Sequence, residues 1–236
     1  MIILIFSLLS LSSVPASAET SPDWFLPLRD AVYGHQMPAN ELVPLYRETT
    51  DKAKESLSGP ALFIILSRCE NLIGLAFRDE ELKKEAANHF AEGILWAEKA
   101  LDAQASAEAW HMLAENISQS CAVRPVSYAM ANGLKVERYA KNALALNSRN
   151  SGAQYLIAAR WVFAPPPLHN YNRGIEMMTA ILTESDIEKE DLFRVQSAIG
   201  YCYFQQKKLT QAKPWLLKSL DLFPTNKFVL DLLEKL

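Results

Sequence analysis

Apolar residues recur along this chain at helical spacing, and they do so in paired segments. Gly93/Ala97/Ala100, Val136/Ala140/Ala143 and Gly174/Met178/Ile181 are each spaced i, i+4, i+7, so the members of each triple share one helical face. Alternating with them stand segments of a second pattern: Glu70-x2-Ile73-Gly74-x2-Phe77, Trp110-x2-Leu113-Ala114-x2-Ile117, Tyr155-x2-Ala158-Ala159-x2-Val162 and Gln196-x2-Ile199-Gly200-x2-Tyr203. The last of these is followed by Ala212-x3-Leu216 and then Pro224. Two alternating patterns predict four helix hairpins, with glycine or alanine where paired helices must approach. Ahead of them, Pro22 to Tyr33 and Ala39 to Ser58 read as a short and a longer helix, the second starting at Pro38 or Asn40, before Gly59-Pro60 breaks the chain. Behind them, Phe228, Val229, Leu232, Leu233 and Leu236 form an apolar stripe on a terminal capping helix.

The final unit resembles the tetratricopeptide repeat (TPR) family, because its residues fall on that family's W-x2-L-G-x2-Y, A-x3-F and P positions with only the first Trp missing. The resemblance implies an all-α helix-hairpin repeat solenoid over residues 60–236, preceded by N-terminal helices within 19–59. The spacing departs from the family. Gly74 to Ala114 is 40 residues, Ala114 to Ala159 is 45 and Ala159 to Gly200 is 41, against about 34 in the family. Most of the excess lies inside the hairpins, whose turns all leave from one rim of a solenoid. In the first hairpin it is expected to lengthen the helices, with Asp79-Glu80-Glu81 opening the second of the pair at its positive end. In the second and third hairpins it is expected to form loops. Pro214 is tolerable if its helix begins at Thr210, which puts the proline near the first turn.

Composition agrees with a helical fold: half the residues are apolar, 22% are charged and only 8 are glycine. A net charge of −3 supplies no basic excess, which argues against a nucleic-acid partner. Residues 1–18 read as a signal peptide, with an apolar core from Ile2 to Leu11 and the cleavage triplet Ala16-Ser17-Ala18, although no Lys or Arg precedes the core. The mature chain is therefore expected to start at Glu19 in the periplasm or another extracytoplasmic space. The apolar run is shorter than the ~20 residues that span a bilayer, and no cysteine follows it to carry a lipid, so stable membrane insertion is not expected. Cys69, Cys121 and Cys202 sit in apolar contexts and read as small buried hydrophobes, the odd count leaving at least one without an intrachain partner.

Catalytic signatures are missing. Glu108-x2-His111 has the spacing of di-iron carboxylate bundles, but no second Glu-x2-His accompanies it. His89 and His111 stand four residues from Glu85 and Glu115, an ordinary helical pairing. The chain holds no His-Glu-x2-His, Gly-x-Ser-x-Gly, phosphate-binding glycine loop or Cys-x2-Cys, so no enzyme, cofactor or metal site is expected. Recognition residues gather instead in the longer excursions. Pro165-Pro166-Pro167 holds the third one extended, flanked by Arg160, Trp161 and Phe163 and followed by His169, Tyr171 and Arg173. The second supplies Arg124, Tyr128 and Met130. Arginine and aromatic residues on one rim make a binding surface, unless the aromatics merely plug gaps left by longer turns. First-helix residues His111, Glu115, Arg160, Tyr201 and Gln205 are predicted on the inner face.

The Ala-Pro-rich loop, coming after a unit that ends Lys141 to Asn147, is also similar to the exported T component of tripartite (TRAP) solute transporters over residues 60–225. That similarity implies a ligand-handling or partner-docking role. Two functions follow: an exported, non-catalytic scaffold for a protein or peptide partner, or a transport accessory enclosing an amphipathic small molecule among Trp161, Phe163, Tyr128 and Met130. The terminal apolar stripe leaves a homo-oligomer open.

Overall fold

The computed structural model describes residues 21–183 and 187–236, so the expected signal segment lies outside them. Among the described residues the chain forms helices and no strand: α1 Leu26–Tyr33, α2 Ala39–Ser56, α3 Gly59–Asp79, α4 Lys83–Ala103, α5 Ala107–Val123, α6 Val126–Leu146, α7 Ser151–Phe163, α8 Tyr171–Ile181, α9 Lys189–Gln205, α10 Leu209–Leu220 and α11 Lys227–Leu233. Local chemistry sets many of these starts. The side chains of Ser106, Asn150, Asn170 and Asn226 accept hydrogen bonds from the backbone N–H groups of Ala109, Ala153, Arg173 and Val229, capping α5, α7, α8 and α11. Pro38 and Pro125 stand immediately before α2 and α6 in extended conformation.

The hairpins are α3–α4, α5–α6, α7–α8 and α9–α10, and small residues close their seams as the pattern predicts. At Gly200 an added Cβ would lie 2.7 Å from the Leu216 side chain, so α9 and α10 meet at a distance only glycine permits. Ala86, Ala97, Ala100, Ala140, Ala143 and Ala212 are all buried on the second helices.

Three local expectations need correction. The second hairpin contains no long loop: Arg124 and Pro125 alone join α5 to α6, and residues 126–146 are helical, so the extra residues lengthen α6 as the first hairpin lengthens α3 and α4. Nothing after Pro125 breaks the helix. Gly133 lies in this exposed stretch with no neighbour within 4 Å of an added Cβ. Gly133→Ala should therefore stabilise the protein by about 0.5–1 kcal/mol in urea unfolding, whereas a loop at this position would gain no helix propensity. The second correction concerns the acidic triplet, which ends α3 and turns the chain rather than opening α4. Asp79 is the last residue of α3, Glu81 has φ +61, and Glu80 Oε1 accepts from Ala39 N at 2.7 Å, which puts its negative charge at the start of α2. Third, α10 begins at Leu209 and carries exposed Pro214 beyond its first turn, where water can satisfy the freed carbonyl. Only the third hairpin has the expected long connection, residues 164–170.

The array is closed on itself. α1 is wedged between the first and last inner helices, with Phe25 and Leu28 buried beside α3 residues in one core cluster. Tyr33 stacks on Phe223 at 5.2 Å and meets Phe193 edge-on at 5.7 Å. Asn226 donates to Tyr33 O at 2.7 Å, and Thr225 donates to Gly34 O. Val229 and Leu232 of α11 turn into the cluster with Leu216 and Phe223, so the terminal stripe seals the stack, while Phe228 and Leu230 stay exposed. α3 alone among the described helices is long and apolar enough to cross a membrane, and 67% of its most apolar window is buried in the protein, as befits a core helix. The three cysteines are unpaired. Burial pushes the thiols of Cys69 and Cys202 up to about 12, which keeps them protonated and inert.

Candidate functional site

Closing the array turns the concave face into a bore lined by α3, α5, α7 and α9. Tyr33, Glu115 and Arg194 form a septum across it, and each lines both of the chambers it separates. The first chamber, about 600 Å³, lies at the N-terminal ends of the inner helices; the second, about 930 Å³, lies at their C-terminal ends.

The first chamber is an ion-pair lattice. Arg68 Nη2 pairs with Glu188 at 2.7 Å and Glu190 at 2.6 Å, and Arg29 Nη1 reaches Glu190 at 3.4 Å, tying α1 and α3 to the start of α9. Arg194 pairs with Glu115 at 2.7 Å and Asp191 at 3.4 Å while its guanidinium lies 4.0 Å over the Tyr155 ring. Burial and the adjoining Glu188 and Asp191 carboxylates raise Glu190 to about 7 despite Arg68 and Arg29. Asp191 is also raised by burial, which Arg194, His111 and the Ser151 hydroxyl only partly offset, whereas Arg194 and His111 overcome burial at Glu115 and hold it low. His111 is pressed against α7 at Gly152: an added Cβ there would fall 2.1 Å from its ring, so glycine is required. Neither ring nitrogen of His111 has a hydrogen-bond partner, with Glu108 at 3.7 Å and Glu115 at 4.0 Å. Glu108 instead accepts from Asn150 at 2.7 Å.

The second chamber is built differently. Leu42, Leu75, Leu156, Ala159, Phe193 and Ala198 give it an apolar floor, and Phe163, half exposed, stands at its edge. Charged residues of both signs surround it and are paired among themselves: His35 with Asp79 at 3.0 Å, Arg78 with Asp79 at 2.6 Å and Lys227 with Asp231 at 2.9 Å. An apolar floor under a polar rim holds amphipathic matter rather than a bare ion.

Successive hairpins with glycine and alanine seams around one bore decide the architecture. The fold is TPR-like. No family model matches the chain, and no curated protein does. Among solved structures it is similar to YrrB, described as a TPR protein with an unusual peptide-binding site, at 15% identity and a TM-score of 0.40 over 90% of this chain and 91% of that one.

In this TPR-like chain the residues singled out on the rim fall into two groups. Arg124 donates to Ala87 O and lies 5.1 Å over Tyr128, while Met130, two residues further along α6, is 79% exposed. Arg160 and Arg173 each lie 4.9 Å from the Trp161 ring, and Arg160 also pairs with Glu137. His169 stacks on Tyr171 at 4.5 Å, Tyr171 meets Tyr201 edge-on, and Tyr201 reaches Phe163 at 5.5 Å. Of Trp161, Phe163, Tyr128 and Met130, only Phe163 lines either chamber: Tyr128 and Met130 ride on α6, which continues as helix where a loop was expected, and Trp161 on α7 is occupied by Arg160 and Arg173. His111 and Glu115 do line the bore, whereas Arg160 turns outward to α6 and Gln205 is exposed. Sequence reasoning missed Arg29, Arg68, Arg194, Glu190 and Asp191. Their signal was present as single arginines interrupting otherwise apolar helix faces, a costly arrangement unless partners wait across the bore.

Proposed function

We propose that the mature chain is an exported, non-catalytic TPR-like scaffold that binds a peptide or an extended protein segment in the second chamber. The observation supporting it most directly is the chamber itself: with α1 and α11 already in place, about 930 Å³ stays open over an apolar floor. Side chains of a bound segment would sit on Leu75, Leu156 and Phe193, and its backbone would meet the Ser118 hydroxyl at the wall. Panning a random peptide library against protein starting at Glu19 should enrich apolar-anchored sequences. Their affinity should fall by about tenfold or more, roughly 1.4 kcal/mol, in Phe163→Ala and in Ala159→Trp, which fills the floor. Enriched peptides that bind both variants at wild-type affinity would remove the chamber from the reading. Export is tested separately by the first residue of the protein recovered from its host, expected to be Glu19.

A second reading, an amphipathic small molecule held for a transport system, is favoured by the closed bore, which offers chambers instead of a continuous groove. Native mass spectrometry of freshly isolated protein separates the two, since a retained small mass that Ala159→Trp displaces would favour the small molecule.

A further inference from the structure

α6 and α7 do not match in length. α6 has 21 residues, and α7, which packs back along it, has 13. The eight-residue difference leaves about 12 Å of α6 without that neighbour. Val126, Met130 and Leu134 occupy this stretch at i, i+4 and i+8, and they are 76%, 79% and 83% exposed. Large apolar side chains so open to water, aligned on one helical face, are the mark of an interaction surface.

Charge singles out the same region. Residues 124–173 hold seven Lys or Arg against one acid, Glu137, in a chain whose net charge is −3. Glu137 is already engaged by Lys141 at 2.8 Å and by Arg160. Arg124, Arg138 and Arg173 lie over the rings of Tyr128, Tyr139 and Trp161, and Lys135 donates to Asn132 at 2.9 Å. Among the described residues no carboxylate pairs with these four. Basic side chains thus run beside an apolar ridge on an otherwise acidic molecule.

We propose that the Val126/Met130/Leu134 ridge docks an amphipathic helix of a partner protein whose polar face is acidic, laid alongside α6 in the space α7 is too short to fill. The i±4 row of one helix packs into the groove of another, which suits a ridge one residue wide and two turns long. Methionine at its centre adapts to the partner's side chains. A bilayer would instead require a broad apolar face with bulky aromatics. Acidic flanks on the partner meet Arg124, Lys135 and Arg138 and steer its approach. None of the three ridge residues lines a chamber, so the docking stands or falls apart from peptide binding in the bore.

Two synthetic helical peptides of about 18 residues, five turns, test the proposal with the chain starting at Glu19. Both carry the same leucine stripe; one has glutamate and the other lysine on the polar face. The glutamate peptide is expected to bind by fluorescence anisotropy, to weaken with added salt, and to lose about tenfold or more in affinity on Met130→Asp. That exposed substitution should leave the urea midpoint unchanged. Absence of binding by the glutamate peptide, equal binding of the lysine peptide, or binding indifferent to Met130→Asp would each overturn the proposal. So would phosphatidylglycerol vesicles that bind wild type but not Met130→Asp, which would assign the ridge to a membrane. Self-association abolished by Met130→Asp would assign it to a second copy and overturn it equally.

Discussion

Phe90→Ala should lower the unfolding free energy by about 3–5 kcal/mol, among the largest single effects in the protein. Phe90 is wholly buried on α4, and its ring fills the notch that Gly74 leaves in α3. An added Cβ at Gly74 would lie 2.5 Å from that ring, so Gly74→Ala should itself cost about 1–3 kcal/mol although alanine is the better helix former. The two substitutions should not add. With the ring gone, the new methyl group enters vacated space, and the double variant should be less destabilised than the two losses together. Urea unfolding of the four proteins measures this, and strict additivity would show that the ring and the glycine do not share one seam.

Removal of the septum arginine is expected to be comparably severe and, unlike the seam variants, strongly dependent on pH. Arg194→Met leaves Glu115 and Asp191 buried without their main cation, a loss of about 3–5 kcal/mol near neutrality. In the wild type Arg194 holds Glu115 below its ordinary value, so this carboxylate stabilises the fold above its unfolded pKa and the contribution fades as pH falls through the lowered folded value. Without the arginine, burial raises Glu115 and raises Asp191 further. A raised acid binds more protons folded than unfolded, so the variant must lose stability as pH climbs through the range above the unfolded carboxylate values. The gap between wild type and variant should therefore be wide at pH ~8 and narrow as pH falls, first because the variant's two carboxyls take up protons and then because wild-type Glu115 does so below its ordinary range. A gap constant across that range would mean that Arg194 acts through its packing on Tyr155 and not through its charge. Glu115→Gln added to Arg194→Met should recover part of the loss at the higher pH.

Sequence by itself determined the hairpins. Helix-period spacing of alanine and glycine is a local property, and the close seams it encodes, such as Gly200 against Leu216, cannot form with larger residues in those places. The hairpin count was legible for that reason and the two leading helices from their own breakers, whereas the terminal stripe left sealing and self-association open until α11 was seen packed on Leu216 and Phe223. Loop lengths were less so: an excess of residues between Ala114 and Val136 reads the same whether it extends a helix or makes a loop, and spacing by itself does not choose between them. What tertiary structure alone decided is the closure of the array. Arg29, Arg68 and Glu190 come from positions 29, 68 and 190 of the chain, and no local pattern reports that α1 folds across the bore to bring them together. The chambers, the septum and the uncovered ridge on α6 all follow from how far helices run beside partners distant in sequence. That depends on relative lengths and crossing of whole elements, which a periodicity within any one of them does not contain.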